Sequence, residues 1–423
     1  MRSLRTRVGL LLLATSMIAA SGAAFAEQVT LNFLTAEKDE TVAPVIAGFE
    51  KLHPDIKVVH TTVPFDSMNA TIEARVGGQD SSIDVFLVDS PRVPAMANRG
   101  YLMNLNEFRD AADKVSNDVA MGVVSWKGDM YALPLWTSTQ LMYYNKDLLD
   151  KAGIPYPGAK EEDRLTYDQV VDLAKKAQAA GAKFGFLPEQ IDRYYQLQPL
   201  FESIGGGSGL TGPDNLTPDI TNPKWIEAAE FYSSLFKDGI APRGVPNDQM
   251  SSVFTSGDVA FYIGGPWQFR PFNAAEGLKY GVAPVPYFKG GKPVVPTDSW
   301  AVGISPYAAH PDEAKKFVEY MSINPEGALL SVANNPIPPT NEEAYKTYID
   351  GIAALNPDVG PAAKEIMTYE LAKNSVSRPR SIGYVAFEEI MNRAFSDIRN
   401  GADVTTTLQQ AQDQLNSTLA RIQ

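Results

Sequence analysis

The chain of 423 residues contains no cysteine. That absence excludes disulfides, thiol nucleophiles and every thiolate metal site, so stability has to come from packing, which a chain this long can supply. Histidine is scarce as well. Only His53, His60 and His310 occur, and no H-x-x-x-H or H-E-x-x-H spacing exists, so no metal centre is expected. The G-x-S-x-G nucleophile turn is also missing. Basic residues are outnumbered, 37 Lys and Arg against 50 Asp and Glu. That balance argues against nucleic acid as a partner, because phosphate binding needs a positive footprint. Beyond residue 26 no run approaches 18 uninterrupted apolar residues, so no membrane-spanning helix is expected. Gly207 to Gly212 fits G-x-G-x-x-G, but a helical pattern precedes it and Pro213-Asp214 follow, so it reads as a loop and no cofactor is expected.

What is present begins with a leader. Arg2, Arg5 and Arg7 precede the apolar run Leu10 to Ala20, and Ala24-Phe25-Ala26 places small residues before a cut. This reads as a secretory signal peptide over residues 1–26. No cysteine follows the cut, so the exported chain is expected to be soluble and unlipidated. Without the three leader arginines its balance is 34 basic to 50 acidic residues, a net charge of −16.

The exported part alternates short apolar strands with amphipathic helices. Val29 to Leu34, Ile56 to His60 and Ile83 to Val88 read as strands. Thr41 to Leu52 and Ser67 to Val76 carry the helical period between them. This alternation predicts an α/β fold with a parallel sheet covered on both faces, and ligands in such sheets sit beyond the carboxyl ends of the strands. A helix-rich region from about 140 to 280 follows. Val259 to Ile263 and Trp300 to Ile304 read as further strands, and Val404 to Ile422 as a helix packed on the body. Aromatic residues stand at strand ends rather than in apolar stripes: Phe65, Trp136, Trp267 and Trp300. Such faces suit the C–H face of a sugar ring, while carboxylates, amides and arginine take its hydroxyls. Trp267 follows Gly264-Gly265-Pro266, a turn that lets backbone approach a ligand.

Several stretches in order carry a family resemblance. They are Phe49 to Val58, Asp84 to Asp89 with Gly100-Tyr101-Leu102, Tyr131 to Trp136 with Met142 to Leu149, Phe254 to Trp267, and Ser377-Arg378-Pro379-Arg380. Together they resemble a carbohydrate-type extracellular solute-binding protein of an ATP-binding-cassette importer, in the maltose-binding-protein-like group. The resemblance implies the two-lobed periplasmic-binding-protein fold, with two discontinuous α/β domains joined by hinge crossings and the ligand in the cleft. The crossings map near 135–139, 284–296 and 335–340. The first lobe then takes 27–136 and 290–338, and the second 137–289 and 339–423.

The resemblance implies periplasmic capture of a mono- or oligosaccharide by a monomer. Its partners are the transmembrane permease subunits and their ATPase, with no catalysis and no cofactor. Carried onto this chain, the cleft positions are Glu37, Phe65, Asp66 and Asp89 after the first strands, and Trp136 and Thr139 at the first crossing. Glu202, Trp267 and Arg380 come from later segments. Where many relatives read Gly-Gly-Trp, this chain has Asp298-Ser299-Trp300, which places Asp298 and Ser299 at the cleft. Asp66 also reads as a helix N-cap. Two alternatives stay open. One keeps the importer with a charged ligand: a sugar phosphate or sulfonate, glycerol phosphate or a polyamine. Lys38, Arg92 and Arg380 are the cations that an anion needs, while Glu37, Asp66, Asp89 and Asp298 suit a polyamine. The other is a secreted carbohydrate-active enzyme with paired carboxylates.

Overall fold

The computed structural model describes residues 28–422. The signal peptide expected over 1–26 lies outside the described residues. Two mixed sheets organise the chain. The first has the strand order Ile56–Thr62, Val29–Thr35, Val85–Asp89, Trp300–Ile304, Leu133–Pro134. Its first three strands run parallel, as the alternation predicts. Trp300–Ile304 instead returns antiparallel to Val85–Asp89, pairing Trp300 with Asp89. The reason is that it arrives from the other sheet rather than through a crossover helix. The second sheet has the order Tyr280–Ala283, Leu141–Asn145, Val259–Gly264, Phe184–Pro188, with only the last pair parallel.

The central strands of each sheet are buried because they are apolar on both faces, whereas the edge strand Ile56–Thr62 alternates buried and exposed residues. Val85, Phe86 and Leu87 are fully buried, as are Val259, Ala260, Phe261 and Tyr262. The Asp39–Leu52 helix starts two residues before the apolar period, since Asp39 and Glu40 favour its N-terminus. Its Phe49 meets Phe317 of the Pro311–Ser322 helix at 4.9 Å between ring centroids. In the second body Phe201 stacks on Trp225 at 3.8 Å.

The chain passes from the first sheet to the second between Pro134 and Leu141, and returns between Ala283 and Trp300. A third passage over 335–341 leads into the Glu342–Leu355 helix. These passages are not loose. Trp136 bridges Pro339, Thr137 bridges Asp298, and Val295–Pro296 pairs with Ser375–Val376. They form a small extended layer between the sheets, and the carboxyl ends of the Val29–Thr35 and Val85–Asp89 strands open beside it.

Candidate functional site

The two aspartates of one strand region show how position decides role. Asp84, at the start, is fully buried and accepts from the backbone N–H of Asn32 and of Ala309, both at 2.8 Å, so it ties elements together. Asp89, at the carboxyl end, lines a cleft of about 610 Å³. Glu37, Phe65, Asp298, Ser299 and Trp300 line the same cleft from the first sheet and the crossing layer, and Trp267 faces them from the second body.

The aromatics form two walls. Phe65 meets Trp300 edge-on, with ring centroids 5.7 Å apart. Opposite them, Trp267 and Tyr195 lie tilted at 6.4 Å. Arg193 lays its guanidinium 4.2 Å from the Phe65 centroid, a cation–π contact between the two bodies.

Beneath these walls lies a buried ionic network. Arg378 donates from Nη2 and Nη1 to the two carboxylate oxygens of Asp89, at 2.5 and 3.0 Å. Its Nε and its backbone N–H both bond the Asp298 carboxylate, at 3.1 Å each to the nearer oxygen. This is the planar fork that arginine matches to carboxylates. Arg92, on the first body, pairs with Glu388 of the Tyr384–Arg399 helix at 2.5 Å, and Arg193 reaches the same carboxylate at 3.2 Å. Burial alone would raise Glu388, but Arg92, Arg193 and Arg378 overcome it and hold the carboxyl well below its usual range. Burial prevails at Asp298 and moves its carboxyl upward despite Arg378. Three arginines thus face three carboxylates, and the network closes on itself with no net charge.

Among the described residues Glu37 has no such partner: its Oε2 accepts a long bond from Asn335 Nδ2, at 3.4 Å, and burial pushes its carboxyl up to about 7. At the rim Arg270 of the second body bonds Glu40 at 3.3 Å and the Asn334 carbonyl at 3.0 Å, a strap across the mouth.

Two raised carboxyls give a testable pH signature. Glu37 and Glu189 both hold their proton more tightly folded than unfolded, about 7 against the ordinary 4.5. Their stabilisation is complete below the unfolded value and is lost as pH rises through the folded one. For the buried Glu189 the full loss is roughly 3 kcal/mol. Glu388 acts oppositely, losing stability as pH falls below the carboxylate range. The melting temperature is expected to fall between about pH 5 and pH 8, and Glu37→Gln to remove part of that fall. A flat melting profile over that interval contradicts the assignment.

Other sequence-derived residues lie elsewhere. Asp66 is exposed in a short 3-10 turn, and its side chain makes no cap. Trp136 turns away from the cleft, because its indole N–H donates to the Ser331 hydroxyl at 2.9 Å within the first body. Thr139 is fully buried in the crossing. Glu202 points along its own helix to Gln198, and Arg380 is exposed and donates to the Gly122 carbonyl. Of the cations weighed for an anionic ligand, Lys38 lines the cleft, while Arg92 is consumed by Glu388. Sequence reasoning missed Gln190, Arg193, Tyr195, Arg270 and Arg378. Only Arg378 left a signal, two residues from Arg380 in the same motif.

A family model described as bacterial extracellular solute-binding protein matches residues 34–326. A galactooligosaccharide-binding protein of Bacillus subtilis is 28% identical over 264 residues, 60% of this chain and 59% of that protein. The maltodextrin-binding protein MdxE of the same organism is 27% identical over 270 residues, 62% of each. The chain thus spans about three fifths of the length of these curated relatives. Among solved structures, the ABC substrate-binding protein Lmo0181 from Listeria monocytogenes, in complex with cycloalternan, superposes with a TM-score of 0.79 at 23% identity. That match covers 93% of this chain and 99% of the other, and shows a shared two-lobed α/β fold. With a matched stretch running from the first strand through the helix after Trp300–Ile304, the chain belongs to the bacterial extracellular solute-binding protein family.

Proposed function

We propose that this protein captures a neutral sugar of one or a few rings between its lobes. It hands the sugar, unchanged, to the permease of an ATP-binding-cassette importer in the periplasm. The lobes divide at the three crossings, with 27–136 and 290–338 on one side and 137–289 and 339–423 on the other. One observation carries the neutral ligand. The arginines in the cleft floor are already committed to Asp89, Asp298 and Glu388. An anionic ligand that drew on those arginines would have to break a buried pair and leave a carboxylate uncompensated, which is costly. The facing aromatic walls supply stacking, and Glu37, Ser299, Gln190 and Asn335 supply groups for hydroxyls. The two Bacillus relatives, named for binding galactooligosaccharide and maltodextrin, support the same class. Export fits the leader, and no helix among the described residues is long and apolar enough to cross a membrane.

A thermal-shift screen of residues 27–423 against neutral sugars, sugar phosphates and polyamines tests this. A ligand at 100 times its dissociation constant adds about 2.7 kcal/mol. The expected result is a shift with a neutral mono- or oligosaccharide that is recovered intact. A shift confined to phosphates or polyamines, or consumption of the sugar, replaces the proposal.

A further inference from the structure

Trp267 cannot act as a stacking wall unless its plane is held, and a half-exposed indole on a turn is free to rotate. The structure shows what holds it. Its Nε1–H donates to Oε1 of Glu189 at 2.7 Å. Gln268 Nε2 donates to the same oxygen at 2.6 Å, and the Gly265 N–H approaches the other at 3.4 Å. Glu189 follows the Phe184–Pro188 strand and is 7% exposed, so it sits behind the indole rather than in the cleft. The two glycines before Pro266 are what make room. A Cβ at Gly264 would lie 2.7 Å from Glu189 Oε2, and one at Gly265 would lie 2.1 Å from the indole ring. The Gly-Gly-Pro-Trp turn is folded around this carboxyl.

We propose that Glu189 is the positioning residue of the ligand site, its ionised carboxylate clamping Trp267 at the angle that ring stacking requires. This rests on the sugar reading above for its ligand, but not for its geometry. Two N–H donors sharing one carboxylate oxygen bind the charged form more strongly than the neutral one. Burial raises the Glu189 carboxyl to about 7, with the Trp267, Gln268 and Gly265 donors and Arg193 pulling it back. The clamp therefore changes charge near neutrality. Arg193 is the cation that acts on Glu189 and stays charged throughout that range. Tyr143, Tyr195 and Tyr262 are the other titratable groups nearby, and burial drives all three phenols upward, so they stay protonated.

The test uses tryptophan emission and near-ultraviolet circular dichroism from about pH 5.5 to 8.5, with Trp267→Phe assigning the Trp267 signal. A titration with the sugar found by the melting screen runs alongside. In the wild type the Trp267 signal is expected to change about neutral pH, and affinity to rise as pH increases through that range. Glu189→Leu is expected to shift the emission at every pH and to weaken binding roughly tenfold, the worth of a hydrogen bond to a charged group. Glu189→Gln, which keeps only a neutral acceptor for the indole, is expected to bind more tightly than Glu189→Leu but below the high-pH wild type, with a flat pH profile. In a Trp267→Phe background, Glu189→Leu is expected to cost little more. Unchanged emission and dichroism in Glu189→Leu, or losses that add in full with Trp267→Phe, overturn the proposal. The optical readout needs no ligand, so a failure of the sugar reading leaves it intact and distinguishable.

Discussion

Arg378→Ala is expected to lower the unfolding free energy by about 3–5 kcal/mol. The side chain is 3% exposed and uses its fork on Asp89 and its Nε on Asp298. Its removal leaves two carboxylates, 5% and 3% exposed, without their principal counter-charge. For Asp89 the remaining cations are Arg193 at 3.7 Å and Arg92 at 3.9 Å, already pledged to Glu388. For Asp298 the Nε donor and its charge are lost, while the backbone N–H of residue 378 stays to bond the carboxylate at 3.1 Å. A urea midpoint at unchanged slope measures the loss. Combining Arg378→Leu with Asp298→Asn leaves Arg92 and Arg193 facing Asp89 and Glu388, two charges of each sign, and is expected to recover most of it, because a fully neutralised buried pair costs little. A loss below about 1 kcal/mol for the single variant shows that the network relaxes, or takes up water, more readily than its packing implies.

Trp267→Ala is expected to weaken sugar binding by about 2 kcal/mol or more, roughly 30-fold. The indole forms one of the two walls, and its loss also frees Glu189 and Gln268 from their shared arrangement. Trp136→Ala is the useful contrast. That indole lies outside the cleft and bonds Ser331, so its removal is expected to reduce stability with far less effect on affinity at equal folding. Isothermal titration on both variants separates the cases. Equal loss of affinity from the two indoles removes Trp267 from the site.

The sequence made part of this legible for a simple reason. Glu37, Phe65 and Asp89 come just after strands whose apolar runs are plain, and the carboxyl ends of parallel strands are where such sheets bind. Trp267 stood out because glycines and a proline isolate it from any apolar stripe. Arg193, Tyr195 and Arg378 had no such marker. Arg193 and Tyr195 open a helix that is buried on nearly every side, and Arg378 lies in a loop whose place between the lobes is set by packing from the chain's last fifth. Trp136 misled because a tryptophan at a crossing reads as a cleft wall, while the direction of its side chain depends on Ser331, nearly 200 residues away. The parallel sheet failed at Trp300–Ile304 because a returning strand carries no local mark of its direction.

The ionic floor has a consequence for how the molecule assembles. Arg92 meets Glu388 across 296 residues and Arg378 meets Asp89 across 289. Closing loops of that length must precede any gain from the contact, which places the event late and makes it slow. Until the last helices dock, the chain can hold two sheets and still have no finished pocket. No contiguous fragment ending before residue 388 contains the complete floor. Joining separately made pieces is then the natural way to watch the pocket form, with the carboxyl-terminal segment as the piece that seals it.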